Sequence, residues 1–203
     1  EAKKRQEETC IIYSETLFTQ EAKRLRILND MDRALREDHF SIVLQPIYNL
    51  RTGLASGAEI LVRWTHEELG VISPAEFIPI AENTGAIAQL TYRVLGESLD
   101  ELMLWRRAGH DVSVAVNLSP RMLEDEAFPS RLENELTFRS LPAGALTLEI
   151  TESSAMAESD RVSRVLRAID AIGVAISIDD FGTGFSSLGY LRRLPVDEVK
   201  IDR

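Results

Sequence analysis

The stretch Ser177 to Gly184, SIDDFGTG, sets two carboxylates side by side at the end of an apolar run and follows them at once with Gly-x-Gly. Adjacent like charges cost stability unless a cation sits between them or on them. Two further apolar runs end on an oxygen donor, at Asn117 and Glu149, and the three positions stand roughly thirty residues apart, the length of one βα unit. With Glu59 they make a set of hard oxygen donors containing no Cys or His, which selects Mg²⁺ or Mn²⁺ over Zn²⁺. The paired aspartates Asp179 and Asp180 are therefore expected to bind, and to bridge, metal ions. Gly182 and Gly184 leave the backbone free to turn tightly over such a site.

The same residues admit plainer readings. Asp-Asp followed by Gly also suits a turn with a helix N-cap. Glu149 and Glu152 also suit an exposed edge strand with a capping turn, and Asn117 to Pro120 also suits a helix start. Lys200, between Val199 and Ile201, also suits a salt-bridged strand lysine, and Arg63 a structural arginine. Joint occurrence favours the chemical reading, and it rests on the elements that carry these residues.

FSIVLQPIYNL, ASGAEILVRW, DVSVAVNLS, ALTLEITES, GVAISIDD and PVDEVKID read as strands, with helical patterns such as AEFIPIAENTG and VLGESLDELMLWRRAG between them. Side chains alternate along a strand with period two. In three strands the aliphatic positions, Val112/Val114/Val116, Leu146/Leu148/Ile150 and Val174/Ile176/Ile178, oppose small residues that lead to Asn117, Glu149 and Asp179. Glu59, Leu61 and Arg63 share one face, as do Glu198, Lys200 and Asp202, and Gln45 has the parity of Val43 and Ile47. Aliphatic outer faces with inner faces ending in oxygen ligands predict an α/β fold, a TIM-like (β/α) barrel with its site at the C-terminal strand ends.

Residues 1–36 are rich in Glu, Lys, Arg and Gln, with Leu25, Leu28, Met31 and Leu35 at spacings of three and four. They read as a helix that packs one stripe on the domain or carries a signal from an upstream domain; residues 37–203 form the barrel. His39, His66 and His110 read as surface residues. The net charge of −10 argues against a nucleic-acid groove or an anionic membrane surface, although a site with bound cations can still take an anionic substrate. The single cysteine, Cys10, excludes an internal disulfide and suits a reducing, cytoplasmic setting. No apolar stretch reaches the length of a membrane span, and the start at Glu1 predicts a piece of a longer protein.

Together EILVRW (Glu59 to Trp64), NLSP (Asn117 to Pro120), EITES (Glu149 to Ser153), DDFGTG (Asp179 to Gly184) and VKID (Val199 to Asp202), preceded by QPIY, resemble the EAL domain family of bacterial cyclic di-GMP phosphodiesterases. The resemblance runs over roughly residues 38–203, in order. Ile60 stands where the family tripeptide has Ala, at a position that parity turns outward. The resemblance implies a TIM-like barrel with one antiparallel strand and hydrolysis of cyclic di-GMP to linear pGpG. It makes Glu59, Asn117, Glu149 and Asp179 metal ligands, with Asp180 on a second ion and beside the substrate. Gln45, Leu61 and Arg63 would meet the dinucleotide, Glu152 would anchor the loop around Gly182, Lys200 would hold or help activate the attacking water and Asp202 would support it. Homodimerisation and an upstream sensory or GGDEF-type domain are implied as well. The family barrel runs on through two strands beyond the position of Arg203, bringing a further metal-site glutamate, so the barrel is expected to be incomplete here at its C-terminus. Two other readings stay open: a non-hydrolysing cyclic di-GMP receptor or regulatory module, and an unrelated metal-dependent barrel with Lys200 as a base on a carbon acid.

Overall fold

A computed structural model of the chain describes residues 15–155, 159–182 and 194–201. The first helix, α1 (Glu15–Arg36), leads into an antiparallel hairpin of β1 (Phe40–Tyr48) and β2 (Ala55–His66), and β2 turns back through the short β3 (Gly70–Ile72). Helices α2 (Pro74–Thr84) and α3 (Ile87–Arg107) follow. Then come β4 (Ser113–Asn117), α4 (Phe128–Phe138), β5 (Leu146–Thr151), α5 (Glu152–Ala155), α6 (Asp160–Ile172), β6 (Ala175–Phe181) and β7 (Glu198–Ile201). The strands form one sheet in the order β1-β2-β4-β5-β6-β7, with β3 on β2; every pair from β2 through β4 to β7 is parallel. This is the αβ alternation of a TIM-like barrel wall with the antiparallel strand β1 at its start; the short β3 is antiparallel to β2 as well. Among the described residues β1 and β7 do not pair, so the wall does not close on itself.

The outer face behaves as parity predicts. Ile60, Val114, Val116, Leu146, Leu148, Ile150, Ile176 and Ile178 are all buried in one core with Phe77 of α2, Leu90 and Leu99 of α3, Leu132 of α4 and Leu166 of α6. Ile60, where the family tripeptide has Ala, is part of this core and faces away from the site-bearing side. Helix ends follow local chemistry. Pro74 opens α2, where Glu76 Oε2 accepts from the Ser73 amide at 3.3 Å, and α3 ends as expected just before Gly109, whose φ of 88° is left-handed.

Three expectations need correction. There are seven strands among the described residues, because Gly70–Ile72 folds back on the end of β2. In α1 the buried stripe is Ile27, Met31, Ala34 and Leu35, whereas Leu25 and Leu28 stay exposed at 56% and 39%. The helix carries two apolar stripes, and the one that includes Ile27 faces the core. His66 is not on the surface: it is 2% exposed, because β2 continues past Trp64 and returns the histidine to the outer, packed face.

Close strand approach leaves one glycine no room for a side chain. A Cβ on Gly57 would stand 2.5 Å from the Ser113 carbonyl oxygen of the neighbouring strand. Gly57→Ala is expected to destabilise the protein by about 1–3 kcal/mol through overpacking against backbone, measured as a shift in the denaturant midpoint at unchanged slope. An unchanged midpoint would show that β2 and β4 separate at little cost.

Candidate functional site

Strand register assembles the site. Parallel pairing sets Glu59 beside Ala115, Asn117 beside Glu149, Glu149 beside Ser177, and Ser177 beside Glu198. Their inward side chains meet at the C-terminal ends of the strands. Asn117 Nδ2 donates to Glu59 Oε1 at 3.1 Å. Lys200 Nζ lies 2.5 Å from Glu149 Oε1 and 3.4 Å from Glu59 Oε2, so β5 and β7 are tied together across the inner face of β6.

Charge and burial are balanced within this cluster. Burial raises the Glu149 carboxyl to about 7; the Lys200 hydrogen bond opposes the rise, and the charges of Glu59 and Asp179 add to it. Burial alone would lower the Lys200 ammonium. The hydrogen bond and charge of Glu149, with the charges of Glu59 and Asp179, outweigh it and raise the group instead. The second oxygen, Glu149 Oε2, is buried with no hydrogen-bond partner among the described residues, as is Ser177 Oγ. No three Asp, Glu, His or Cys side chains among the described residues already stand in a metal-holding arrangement. The cation placed between Glu59 and Glu149 is the Lys200 ammonium.

Beyond Asp179 the strand does not turn at the aspartate pair but continues through a bulge to Phe181, the turn following at Gly182. The β6–β7 register shifts between Ile178 and Phe181, and Asp180 takes a φ of 56°. Asp179 is half-buried and Asp180 exposed. Gly182, at φ 99°, donates its amide to Glu152 Oε2 at 2.8 Å, the loop contact expected of the buried Glu152. Gly184 and Asp202 lie outside the described residues.

Beside the carboxylates, Gln45 is register-paired with Glu59, Val43 with Leu61 and Ser41 with Arg63. Arg63 turns its guanidinium onto its own strand, Nη1 donating to the Val62 carbonyl at 2.9 Å. Leu61, Arg63 and Asn117 border a cavity of about 300 Å³, together with Glu82, Ser119 and Pro120. Ser119 Oγ and Glu82 Oε1 lie 2.7 Å apart across its edge. Glu82 escaped the sequence reading, since a carboxylate late in an amphipathic helix carries no mark of pointing toward a strand end.

The description of the EAL domain family matches residues 28–203, beginning inside α1. This chain belongs to the EAL domain family. The bifunctional diguanylate cyclase/cyclic di-GMP phosphodiesterase MucR of Pseudomonas aeruginosa is 42% identical over 182 residues, covering 89% of this chain and 27% of MucR. The cyclic di-GMP phosphodiesterase PA2567 of the same organism is 34% identical over 192 residues, covering 94% of this chain and 33% of PA2567. This EAL domain thus spans between a quarter and a third of these two relatives. Among solved structures, the P. aeruginosa MucR phosphodiesterase in complex with c-di-GMP superposes with a TM-score of 0.82 at 42% identity, over 87% of this chain and 72% of that one. The FimX EAL domain of P. aeruginosa bound to c-di-GMP gives 0.76 at 25% identity, over 88% and 71%.

Proposed function

We propose that this EAL domain hydrolyses one phosphodiester bond of cyclic di-GMP to give linear pGpG, with Mg²⁺ or Mn²⁺, two ions, held by Glu59, Asn117, Glu149, Asp179 and Asp180. The observation that carries the reading is the convergence of Glu59, Asn117, Glu149 and Lys200 within hydrogen-bond and ion-pair distance at the C-terminal strand ends. The residues fit divalent cations: all are hard oxygen donors, and Glu149 keeps a buried oxygen unpartnered among the described residues. When bound, such ions supply Lewis acidity toward the phosphodiester and its attacking water.

The chain's own groups do the rest. Lys200, raised and so held as an ammonium, cannot take a proton; it donates to the attacking water and orients it. Water oxygen bonds to phosphorus, the bond to the ribose 3′ oxygen breaks, and that oxygen leaves as a hydroxyl carrying, in the net balance, one of the water's protons. Arg63, with Gln45 and Leu61, holds the dinucleotide and offsets phosphate charge, and Glu152 fixes the turn at Gly182. Asp202 is assigned to support Lys200. The proposal extends to a cytoplasmic homodimer downstream of a sensory or GGDEF-type domain, residues 1–36 linking that domain to the barrel of residues 37–203. The upstream domain is supported by MucR, which is matched over only 27% of its length and is named for two activities.

Incubating the full-length protein with cyclic di-GMP and Mg²⁺, and following pGpG, tests the reading: turnover is expected, while binding without product would make the domain a receptor. Arg63→Ala is expected to raise KM about 10–100-fold, the loss of one charge-assisted contact, with kcat changed far less. A loss confined to kcat would move Arg63 out of the substrate-holding role.

A further inference from the structure

His66 is the last residue of β2, three positions beyond Arg63, and both nitrogens of its buried ring are used. Nδ1 accepts from the backbone amides of Glu68 at 3.1 Å and Leu69 at 3.2 Å. The ring proton therefore sits on Nε2, which donates to Asp30 Oδ2 of α1 at 2.9 Å. Asp30 also receives Arg26 Nε at 2.7 Å and Arg33 Nη2 at 3.2 Å. Arg26 reaches on to Glu68 at 2.5 Å and Arg33 to Glu67 at 3.8 Å, both in the β2–β3 turn. Those outer pairs are exposed and contribute little. The His66–Asp30 bond matters more, since without Asp30 a buried N–H loses its partner.

Backbone pairing and core packing hold this end of β2 as well, and the His66–Asp30 bond is its buried polar tie to α1. Register pairing with β1 runs to Trp64, the Thr65 amide donates to the His39 carbonyl at 3.1 Å, β3 supplies three residues, and the Trp64 ring packs on Phe40 and Phe77. We propose that His66 and Asp30 are a positioning pair, through which the seat of α1 sets where the end of β2, and with it Arg63, stands beside the substrate. Helix α1 is then a lever: its apolar stripe of Ile27, Met31, Ala34 and Leu35 seats it on the core, and the buried hydrogen bond transmits that seat to the site-bearing strand. Displacing α1 would loosen Arg63 without touching the carboxylate cluster. The consequence for the reaction rests on the proposed hydrolysis of cyclic di-GMP; the mechanical link does not.

The test uses full-length protein carrying Asp30→Ala, His66→Asn, or both. Asparagine keeps an acceptor for the turn amides, as in an Asx turn, but is too short to reach Asp30. Each single variant is expected to raise KM for cyclic di-GMP about five- to tenfold, the scale of one hydrogen bond, with kcat within about twofold. The double variant should be no worse than either single, the mark of one shared interaction. Asp30→Asn, which keeps an acceptor for Nε2–H, should recover most of the loss. Amide exchange at Glu68 and Leu69 should quicken at least about tenfold in Asp30→Ala without any substrate. Unchanged exchange overturns the latch whatever the wild type does with cyclic di-GMP. Unchanged KM, or additive losses, in protein whose wild type turns over substrate overturns the positioning role alone. A wild type that neither binds nor hydrolyses cyclic di-GMP counts against the proposed function, and the exchange result then decides the latch by itself.

Discussion

Glu149→Gln is expected to abolish hydrolysis while leaving the protein at least as stable as wild type. The carboxylate is 2% exposed, shares its surroundings with Glu59 and Asp179, and has one oxygen without a partner among the described residues. An isosteric amide can still accept from Lys200 at Oε1 while shedding the desolvation and repulsion that push the acid up to about 7. Function loses what stability gains, because a neutral ligand no longer draws a divalent cation into the cluster. The expected fall in turnover exceeds the about 10–100-fold that loss of an outer hydrogen-bond partner costs a metal site. A variant melting several degrees lower, or retaining a tenth of wild-type turnover, would show that the carboxylate is there for structure.

The same acid gives a pH signature in chelator. Between about 4.5 and about 7 the unfolded chain has released this proton and the folded chain retains it. More protons on the folded state mean that stability falls as pH rises through that window, by at most about 1.4 kcal/mol per pH unit. Glu149→Gln should remove this slope, read from denaturant midpoints at several pH values with and without the substitution.

The site was legible because parity is a rigid code. Once Val114, Leu148 and Ile176 are taken as outward, Asn117, Glu149 and Asp179 must point inward near the strand ends, and Glu59 and Lys200 follow from their own alternation. The Asp179-Asp180 pair read as a turn, whereas β6 runs on to Phe181; the bulge and the left-handed φ of Asp180 that let it do so depend on how β7 registers against β6. His66 was misread because its strand seemed to end at Trp64 and because its partner, Asp30, lies 36 residues earlier on a helix full of charges. Period alone also could not choose between the two apolar stripes of α1: that choice is made by what Ile27 and Met31 find beneath them. Long-range polar pairs and alternative helix faces are decided by tertiary packing, which local pattern does not encode.

Lys200→Met is expected to act with the opposite sign on stability. The ammonium is the one cation found between Glu59 and Glu149 among the described residues, and 26% of its side chain is exposed. Removing it leaves two carboxylates facing each other, one of them buried. Taking one partner from a buried pair costs about 3–5 kcal/mol, and the partial exposure of Lys200 puts the expected loss at or below about 3 kcal/mol. The loss should be smallest in acid. Lys200 holds the Glu149 carboxyl down, so without it that acid keeps its proton to higher pH and avoids the unpaired charge; the deficit opens as pH rises past about 7. Mg²⁺ should then restore more stability to Lys200→Met than it adds to wild type, because a divalent cation can neutralise the carboxylates left behind. Turnover should stay lost, since the donor that orients the water is gone. Thermal unfolding at pH 5 and 8, with chelator or Mg²⁺, reads all of this. Equal deficits at the two pH values would place Lys200 among ordinary strand lysines, and retained turnover would remove it from the reaction.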